Sequence, residues 1–418
     1  MEFRKVTLGD ISIDGGKYGI AASAVEYNPT LHTYLRITDI NEDGTLDIKN
    51  LKSVSDKKAI NYILKENDIV FARTGNSTGK SYFYDKRDGE LVYAGFLIKF
   101  SLNESLVNPK YIKYITQSQE YKGWVKNYSI GSTRGNINAK HYADLPILLP
   151  NRTYQDKVVK ILEKLDNKIR VNINIIENLE QISQTLFKRW FIDFEFPNEE
   201  GQPYKSSGGK LVESELGEIP EGWEVKKLKD LTLQYKDTFN PKKSEEEEVY
   251  HYSLPAYDAN SYPVVDKVKE IKSNKWIVED NCVVFSKMNP KTPRVWLIKE
   301  KDDLLNVASS EFVVLKNKSE KSNFFIYNVC NNQKFTEYLC SNTTGSTNSR
   351  QRVTPTIALD FKLAVNEQII SKFSNLISAN GKMILEAAEE NKNLEKLRDT
   401  LLPKLLSGEI EIPDDLEV

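Results

Sequence analysis

One long helical pattern occurs twice in this chain, and it constrains the architecture more than any other feature. From Tyr154 to Phe191, apolar residues recur at alternating spacings of three and four, which is typical of a helix with one apolar stripe. Two polar residues, Asn172 and Ser183, interrupt the stripe. The last part, NLEQISQTLFKRWF from Asn178, returns as NLEKLRDTLLPKLL from Asn393, 215 residues later. A repeat of this length predicts that a globular part followed by a long helix is built twice.

The parts that precede the helices also match each other in short segments. Their offsets of 214 to 216 residues leave room for only small insertions, whereas the residues between the matches differ freely. This pattern predicts two similar domains that bind different targets. The matches pair Asp68-Ile-Val-Phe-Ala-Arg with Cys282-Val-Val-Phe-Ser-Lys, Gly95-Phe-Leu-Ile-Lys-Phe with Glu311-Phe-Val-Val-Leu-Lys, and Gly131-Ser-Thr with Gly345-Ser-Thr.

The domain boundaries follow from these patterns and from the polar, glycine-rich run at 201–209. We expect a mixed α/β chain with two strand-rich domains and two long, antiparallel-packed helices. The predicted segments are a first domain at 1–150, a central helix at 151–195, a linker at 196–219, a second domain at 220–365, a C-terminal helix at 366–408 and an acidic tail at 409–418.

Within the first domain, short apolar runs broken by turn signals predict strands. Two helices are predicted there as well, at Lys57–Lys65 and Pro109–Lys126. The predicted strands are Thr33–Ile40, Asp68–Arg73, Ser81–Tyr84, Leu91–Phe100 and Leu145–Leu149.

Each long helix has about 40 residues and would extend for roughly 60 Å. A helix with a single apolar stripe must bury it, and the other copy is the simplest partner, so we expect an intramolecular coiled coil. The alternative is that each helix packs only on its own domain.

Composition limits the remaining choices. The chain has 418 residues and a net charge of −2, so a nucleic-acid surface would need local concentrations of positive charge. Its three cysteines form no CxxC pair and its three histidines are scattered, which predicts no disulfide framework and no metal site. No signal peptide or membrane-spanning run is apparent, so we expect a cytoplasmic protein.

No familiar catalytic motif is present. The run from Arg73 to Ser81 resembles a P-loop, but residue 74 is threonine where the motif requires glycine, and Tyr82-Phe-Tyr reads as a strand where a helix should begin. Dinucleotide-binding, metalloprotease, serine-hydrolase and kinase patterns are missing, as is the Asn-Pro-Pro-aromatic tetrapeptide of adenine methyltransferases. The sequence therefore predicts a non-catalytic chain.

Polar loops with positive charge occur at matching places in the two halves, at 122–140, 287–299 and 341–354. Lysine and arginine suit phosphates, and arginine, asparagine and glutamine suit base edges in the major groove. The loops are therefore candidates for DNA contact, although a polar loop can also be merely solvated.

Taken in order, these segments resemble the specificity subunit of a type I restriction–modification system. The resemblance covers the whole chain. It rests on Tyr34-Leu-Arg-Ile-Thr-Asp-Ile-Asn, Asp68-Ile-Val-Phe-Ala-Arg-Thr-Gly, Gly131-Ser-Thr-Arg, Leu145-Pro-Ile before the long helix, and Glu215-Leu-Gly-Glu-Ile-Pro-Glu-Gly-Trp before the second half.

The resemblance implies that each domain recognises one half of a split site in double-stranded DNA, while the helices set the gap. It implies methyltransferase subunits, two of them, and restriction subunits as partners, with AdoMet, ATP and Mg used there and no cofactor in this chain. The DNA-binding candidates are Arg73, Thr74, Asn76, Lys80, Ser132, Thr133, Arg134, Lys287, Lys291, Arg294, Ser346, Thr347, Arg350 and Arg352. The partner-binding candidates are Leu162, Ile169, Ile176, Leu179, Leu186, Ile377, Ile384, Leu394 and Leu401.

The second half departs from the pattern. Arg73-Thr-Gly becomes Lys287-Met-Asn, and Gly345-Ser-Thr is followed by Asn348 instead of arginine. The alternative function is a coiled-coil scaffold whose globular ends bind proteins, and DNA binding would differ from it in a steep dependence on salt.

Overall fold

The structure is a computed structural model that describes residues 2–129, 136–280, 282–299, 303–318, 323–344 and 351–413. The chain divides into two compact units. The first comprises Met1–Lys168 and Leu394–Val418, and the second comprises Ile169–Asn393. Each long helix therefore contributes one of its ends to each unit.

The first unit contains nine strands in three sheets. Strands β1 and β9 pair with each other, β2-β8-β5-β6 form a four-stranded sheet, and β4-β3-β7 form a three-stranded sheet in which β3 and β7 are parallel. The strands are β1 Arg4–Thr7, β2 Lys17–Tyr18, β3 His32–Leu35, β4 Lys52–Val54, β5 Asp68–Ala72, β6 Ser81–Phe83, β7 Leu91–Tyr93, β8 Leu97–Ser101 and β9 Pro146–Leu149.

The helices of the first unit are α1 Pro109–Ile115, α2 Gln119–Ser129, α3 Ala139–Ala143 and the first part of α4 Arg152–Phe191. Short 3₁₀ helices occur at Ile37–Asp39, Ile48–Asn50, Ala59–Tyr62, Gly75–Ser77 and Lys86–Asp88.

Several predicted elements of this unit are wrong in extent. Lys57–Lys65 is only a 3₁₀ turn, because the chain becomes extended at Ile63 and bridges to Val92. Pro109–Lys126 is two helices, because the Ser118 hydroxyl accepts from the amide of Tyr121 and caps a new one.

Two predicted strands are also shorter than expected. The strand predicted at Thr33–Ile40 stops at Leu35, where a 3₁₀ turn begins after Arg36; the side chain of Asp39 accepts from the Arg36 amide there. Leu91–Phe100 is interrupted at Ala94–Phe96 by the turn between β7 and β8.

The second unit repeats the same pairing scheme. Strands β12 and β22 correspond to β1 and β9, and β13-β21-β18-β19 correspond to β2-β8-β5-β6. The order β20-β15-β16, with β15 and β20 parallel, corresponds to β7-β3-β4, and β17 and β14 extend this sheet. The mixed α/β fold with two strand-rich domains is thus confirmed.

The elements of the second unit complete the chain. Its strands are β10 Leu211–Ser214, β11 Gly217–Pro220, β12 Glu224–Lys227, β13 Thr232–Gln234, β14 Thr238–Phe239, β15 Glu248–Tyr252, β16 Val264–Lys267, β17 Lys275–Ile277, β18 Cys282–Ser286, β19 Val295–Leu297, β20 Asn306–Ser309, β21 Phe312–Asn317 and β22 Lys362–Val365. Its helices are α5 Leu228–Leu231, α6 Leu254–Asn260, α7 Asn323–Cys330, α8 Gln333–Ser341, α9 Pro355–Leu359 and most of α10 Glu367–Ser407.

Strand register corrects one part of the sequence repeat. Ala72 pairs with Leu97 across β5 and β8, whereas Ser286 pairs with Phe312 across β18 and β21. The structural offset at this strand is therefore 215 residues, not the 216 of the sequence match, so Phe96 corresponds to Glu311. A shift of one residue matters because it would exchange the two faces of the strand.

The long helices run antiparallel to each other inside each unit. In the first unit, the Tyr154 hydroxyl donates to the carbonyls of Leu405 and Ile410, both at 3.0 Å. In the second, the side-chain amide of Asn172 donates to Oδ1 of Asn391 at 2.9 Å, and both residues are buried. The polar interruption at Asn172 is thus a paired one. Among the described residues, no helix is apolar over a length that would cross a membrane.

A close backbone contact in the first unit gives a test of the fold. A Cβ atom on Gly19 would lie 2.3 Å from the carbonyl oxygens of Tyr93 and Ala94. Since backbone must move to relieve this clash, Gly19→Ala should lower the free energy of unfolding by about 2 kcal/mol. The control is Gly123→Ala in α2, where a Cβ meets nothing within 4 Å and helix propensity predicts a gain of about 1 kcal/mol. Denaturant unfolding of the two variants should show shifts of opposite sign, and equal shifts would contradict the packing described.

Candidate nucleic-acid interface

Three chain segments meet at the end of β5, and Arg73 is at their centre. The amide of Arg73 donates to the carbonyl of Phe96 (3.0 Å) in the turn between β7 and β8. The carbonyl of Arg73 accepts from the amide of Ile137 (2.9 Å), and Thr74 bridges to Asn136 just before α3. We call Arg73–Thr74, Phe96 and Asn136–Ile137 the first junction.

The second unit builds the same arrangement from corresponding residues. The amide of Lys287 donates to the carbonyl of Glu311, and the carbonyl of Lys287 accepts from the amide of Val353, both at 3.0 Å. Met288 bridges to Arg352. We call Lys287–Met288, Glu311 and Arg352–Val353 the second junction. The two junctions share their main-chain hydrogen bonds and differ in their side chains.

The Arg73 side chain is held by stacking and has unused donor capacity. Its Cζ lies 4.9 Å from the centroid of the Tyr18 ring. Its Nε is buried and has no hydrogen-bond partner among the described residues. A guanidinium placed on an aromatic ring keeps its planar edge for a bidentate acceptor, such as a phosphate or the O6 and N7 of guanine.

The loop between β5 and β6 carries the other candidates of the first half. Thr74 is half-buried, Asn76 is exposed on the 3₁₀ turn Gly75–Ser77, and Lys80 ends the loop. The Lys80 ammonium donates to the carbonyl of Ile40 (3.1 Å) and pairs with the exposed carboxylate of Glu42 (3.1 Å). Lys80 is therefore partly neutralised, which leaves Asn76 and Arg73 as the more accessible pair.

The candidates of the second half are placed less uniformly. Lys291 is exposed, whereas the Lys287 ammonium donates to the carbonyl of Ser310 (2.7 Å). Arg294 is only 14% exposed and makes a two-fold contact with Asp258, at 2.6 and 2.9 Å. The structure thus assigns Arg294 to an ion pair within the domain, so its prediction as a DNA contact has no geometric support.

Arg352 is the most exposed cation of the second junction. Its Nη2 donates to Oε1 of Glu311 at 3.0 Å, while more than half of the side chain stays accessible. The predicted DNA contacts Ser132, Thr133, Arg134, Ser346, Thr347 and Arg350 lie outside the described residues.

Comparisons with known proteins identify the family. The family model described as "Type I restriction modification DNA specificity domain" matches residues 1–181. The HindI specificity subunit of Haemophilus influenzae is 25% identical over 477 residues, with 98% of this chain and 100% of that protein covered. The chain belongs to the type I restriction–modification specificity subunits.

Other relatives extend the comparison. The MjaIX specificity subunit of Methanocaldococcus jannaschii is 26% identical over 321 residues, covering 73% of this chain and 70% of that protein. The crystal structure of a type I system S subunit from M. genitalium has a TM-score of 0.54 at 14% identity, covering 97% of this chain and 96% of that one. This likeness supports the fold over nearly the whole length of the specificity subunit.

The candidate partner-binding residues of this specificity subunit divide by burial. Leu162, Ile169 and Ile377 are buried inside their units, and Leu162 is inaccessible to solvent. Half-buried are Ile176, Leu179, Leu186, Ile384, Leu394 and Leu401. The exposed apolar residues of the helices, which the stripe pattern did not single out, include Val171, Ile182, Leu376 and Met383.

Sequence reasoning also missed three residues at or beside the junctions. Tyr18, Phe96 and Glu311 are not in a basic loop, so a search for positive charge passes over them. The repeat itself held a signal for two of them, because a match at an offset of 215 places Phe96 opposite Glu311.

Proposed function

We propose that this specificity subunit reads a two-part sequence in double-stranded DNA, with one part recognised at each junction, and directs methyltransferase and restriction subunits to it. The observation that carries the proposal is the pair of junctions: one main-chain arrangement presents Arg73 and Phe96 in one domain and Lys287, Glu311 and Arg352 in the other. Domains that differ only in the side chains they display suit two different half-sites.

Charge at the junctions supports contact with DNA. Arg73 and Lys291 have no carboxylate partner among the described residues, and most of Arg352 is accessible. Arginine is the commonest reader of guanine, and lysine supplies contacts to phosphates that add affinity without specificity. We assign base contact to Arg73 and phosphate contact to Lys291.

Partners follow from the family. The relatives are named as specificity subunits of type I restriction enzymes, so we propose two adenine methyltransferase subunits and restriction subunits as partners of this chain. AdoMet, ATP and Mg would be bound there, which makes this chain the non-catalytic member of the complex. The two long helices would contact the methyltransferase and set the gap between half-sites.

A map of methyladenine tests this function directly. The map is made in cells with this gene present and deleted, while the partner genes stay intact. We expect deletion to remove methylation from a two-part motif with a fixed gap of unspecified bases. An unchanged map would contradict the proposal.

DNA binding by the purified complex provides the control. Neutralising several phosphates makes affinity fall steeply with salt, by roughly a thousandfold between 50 and 200 mM for six contacts. A complex whose assembly is intact but whose DNA affinity is insensitive to salt would favour the protein-binding scaffold instead.

A further inference from the structure

The central turn position of the two junctions carries opposite chemistry. Phe96 is in the turn between β7 and β8, and Glu311 is in the turn between β20 and β21. Each accepts, through its carbonyl, from the amide of the cation at the end of the preceding central strand, Arg73 or Lys287. The two side chains are therefore fixed at equivalent points beside the residues proposed to contact DNA.

Phe96 is exposed where its neighbours are buried. It is 59% accessible, while Leu97 and Ile98, which follow in β8, are inaccessible. Its main chain is tied to Arg73, which also stacks on the half-exposed Tyr18 ring. The first junction thus combines an arginine edge with an apolar, aromatic surface.

Glu311 is partly buried and only half satisfied. Its side chain is 25% exposed, and Oε1 accepts from Arg352. Its Oε2 is buried and has no hydrogen-bond partner among the described residues. A desolvated carboxylate oxygen costs free energy unless a donor reaches it, so this atom is suited to a donor on a ligand.

We propose that this turn position reads a base in each half-site, and the proposal rests on the proposed function. At the first junction, Phe96 contacts an apolar base edge, for which the methyl group of thymine is the matching chemistry. At the second, Oε2 of Glu311 accepts from the exocyclic amino group of cytosine, and Arg352 holds the carboxylate in place. The two half-sites differ at this base because the turn residues differ.

The test uses the methyladenine map with the complete set of subunits and two variants, Phe96→Ala and Glu311→Gln. Phe96→Ala should relax one base position in the half-site of the first domain only. Glu311→Gln should change the preference at one position in the other half-site, since glutamine suits adenine. At each altered position we expect the ratio of methylation rates between the original base and its alternatives to fall about tenfold.

Matched controls separate base reading from folding. Ile60→Ala removes an equally exposed apolar side chain from the first domain, and Glu215→Gln removes an exposed carboxylate from the second unit. Both should leave the motif unchanged. Co-purification with the methyltransferase and the thermal midpoint of each variant show that the fold is intact.

The outcomes distinguish the inference from the function on which it rests. A two-part motif that stays identical in both folded variants overturns the reading by Phe96 and Glu311, while the proposed function stands. Uniform loss of methylation at every site by folded variants also overturns it, because that is the result for a phosphate contact. A wild-type map without any two-part motif removes both proposals together.

Discussion

Asp166→Asn lowers the free energy of unfolding of the first unit by about 3 kcal/mol, because it leaves buried cations without their counter-charge. The Asp166 carboxylate accepts from the Lys113 ammonium (2.7 Å) and the Tyr114 hydroxyl (2.9 Å), and pairs with Arg398 of α10 (3.3 Å). Arg398 is only 13% exposed. Hydrogen exchange in α1 and the first turns of α4 reports the loss locally.

The same network predicts a dependence on pH. Burial by itself would raise the pKa of Asp166, but the charges of Lys113 and Arg398 hold that pKa below its usual value. Because the folded pKa is the lower one, the stabilisation is present above the unfolded pKa near 3.8 and is lost as the pH falls through the folded pKa. Asp166→Asn should remove this part of the acid sensitivity.

An exposed pair on the same helix is the matched control. Asp156 pairs with Arg152 at 2.8 Å, and both side chains are about half accessible. Asp156→Asn should therefore cost less than about 1 kcal/mol. Equal losses for the two variants would show that the Asp166 network contributes no more than a surface ion pair.

The sequence predicted the elements whose periodicity is long and missed those that depend on a partner strand. The central helix was expected at about 153–193 and spans Arg152–Phe191, since many turns of one apolar stripe average out local exceptions. The strand Asp68–Ala72 was also found, because it is an apolar run within a sheet. By contrast, Lys57–Lys65 has helical composition, yet a bridge from Ile63 to Val92 makes it extended.

The candidate site was predictable in its cations and not in its geometry. Arg73 and Lys287 were found because the repeat aligns them after matching strands. Arg294 looked equivalent in charge, but Asp258, 36 residues earlier, reaches it in the folded domain. Strand register also escaped the sequence, since the matches Gly95-Phe and Glu311-Phe align as well as the correct pairing of Phe96 with Glu311.

Phe373→Ala lowers the free energy of unfolding of the second unit by about 4 kcal/mol, the effect expected for deleting a fully buried aromatic ring. Phe373 of α10 is inaccessible to solvent. Its ring centroid lies 5.2 Å from that of Phe191 and 6.0 Å from that of Phe187, both in α4, and 6.3 Å from that of Phe325 in α7. One side chain thus connects both long helices to the second domain, and the cavity left by alanine would face all three elements.

Two substitutions on the same helix show whether the loss comes from this cluster. Leu376→Ala, three residues later, removes an exposed side chain and should change stability by less than about 0.5 kcal/mol. Phe373→Leu keeps most of the volume but loses the edge-to-face ring contacts, so an intermediate loss of about 1 to 2 kcal/mol is expected. Denaturant unfolding, with hydrogen exchange in α7 as the local probe, should rank the three variants in this order. If Phe373→Ala left exchange in α7 unchanged, the cluster would not couple α10 to the second domain, and the helix would be held there by its polar contacts, such as Asn172 with Asn391.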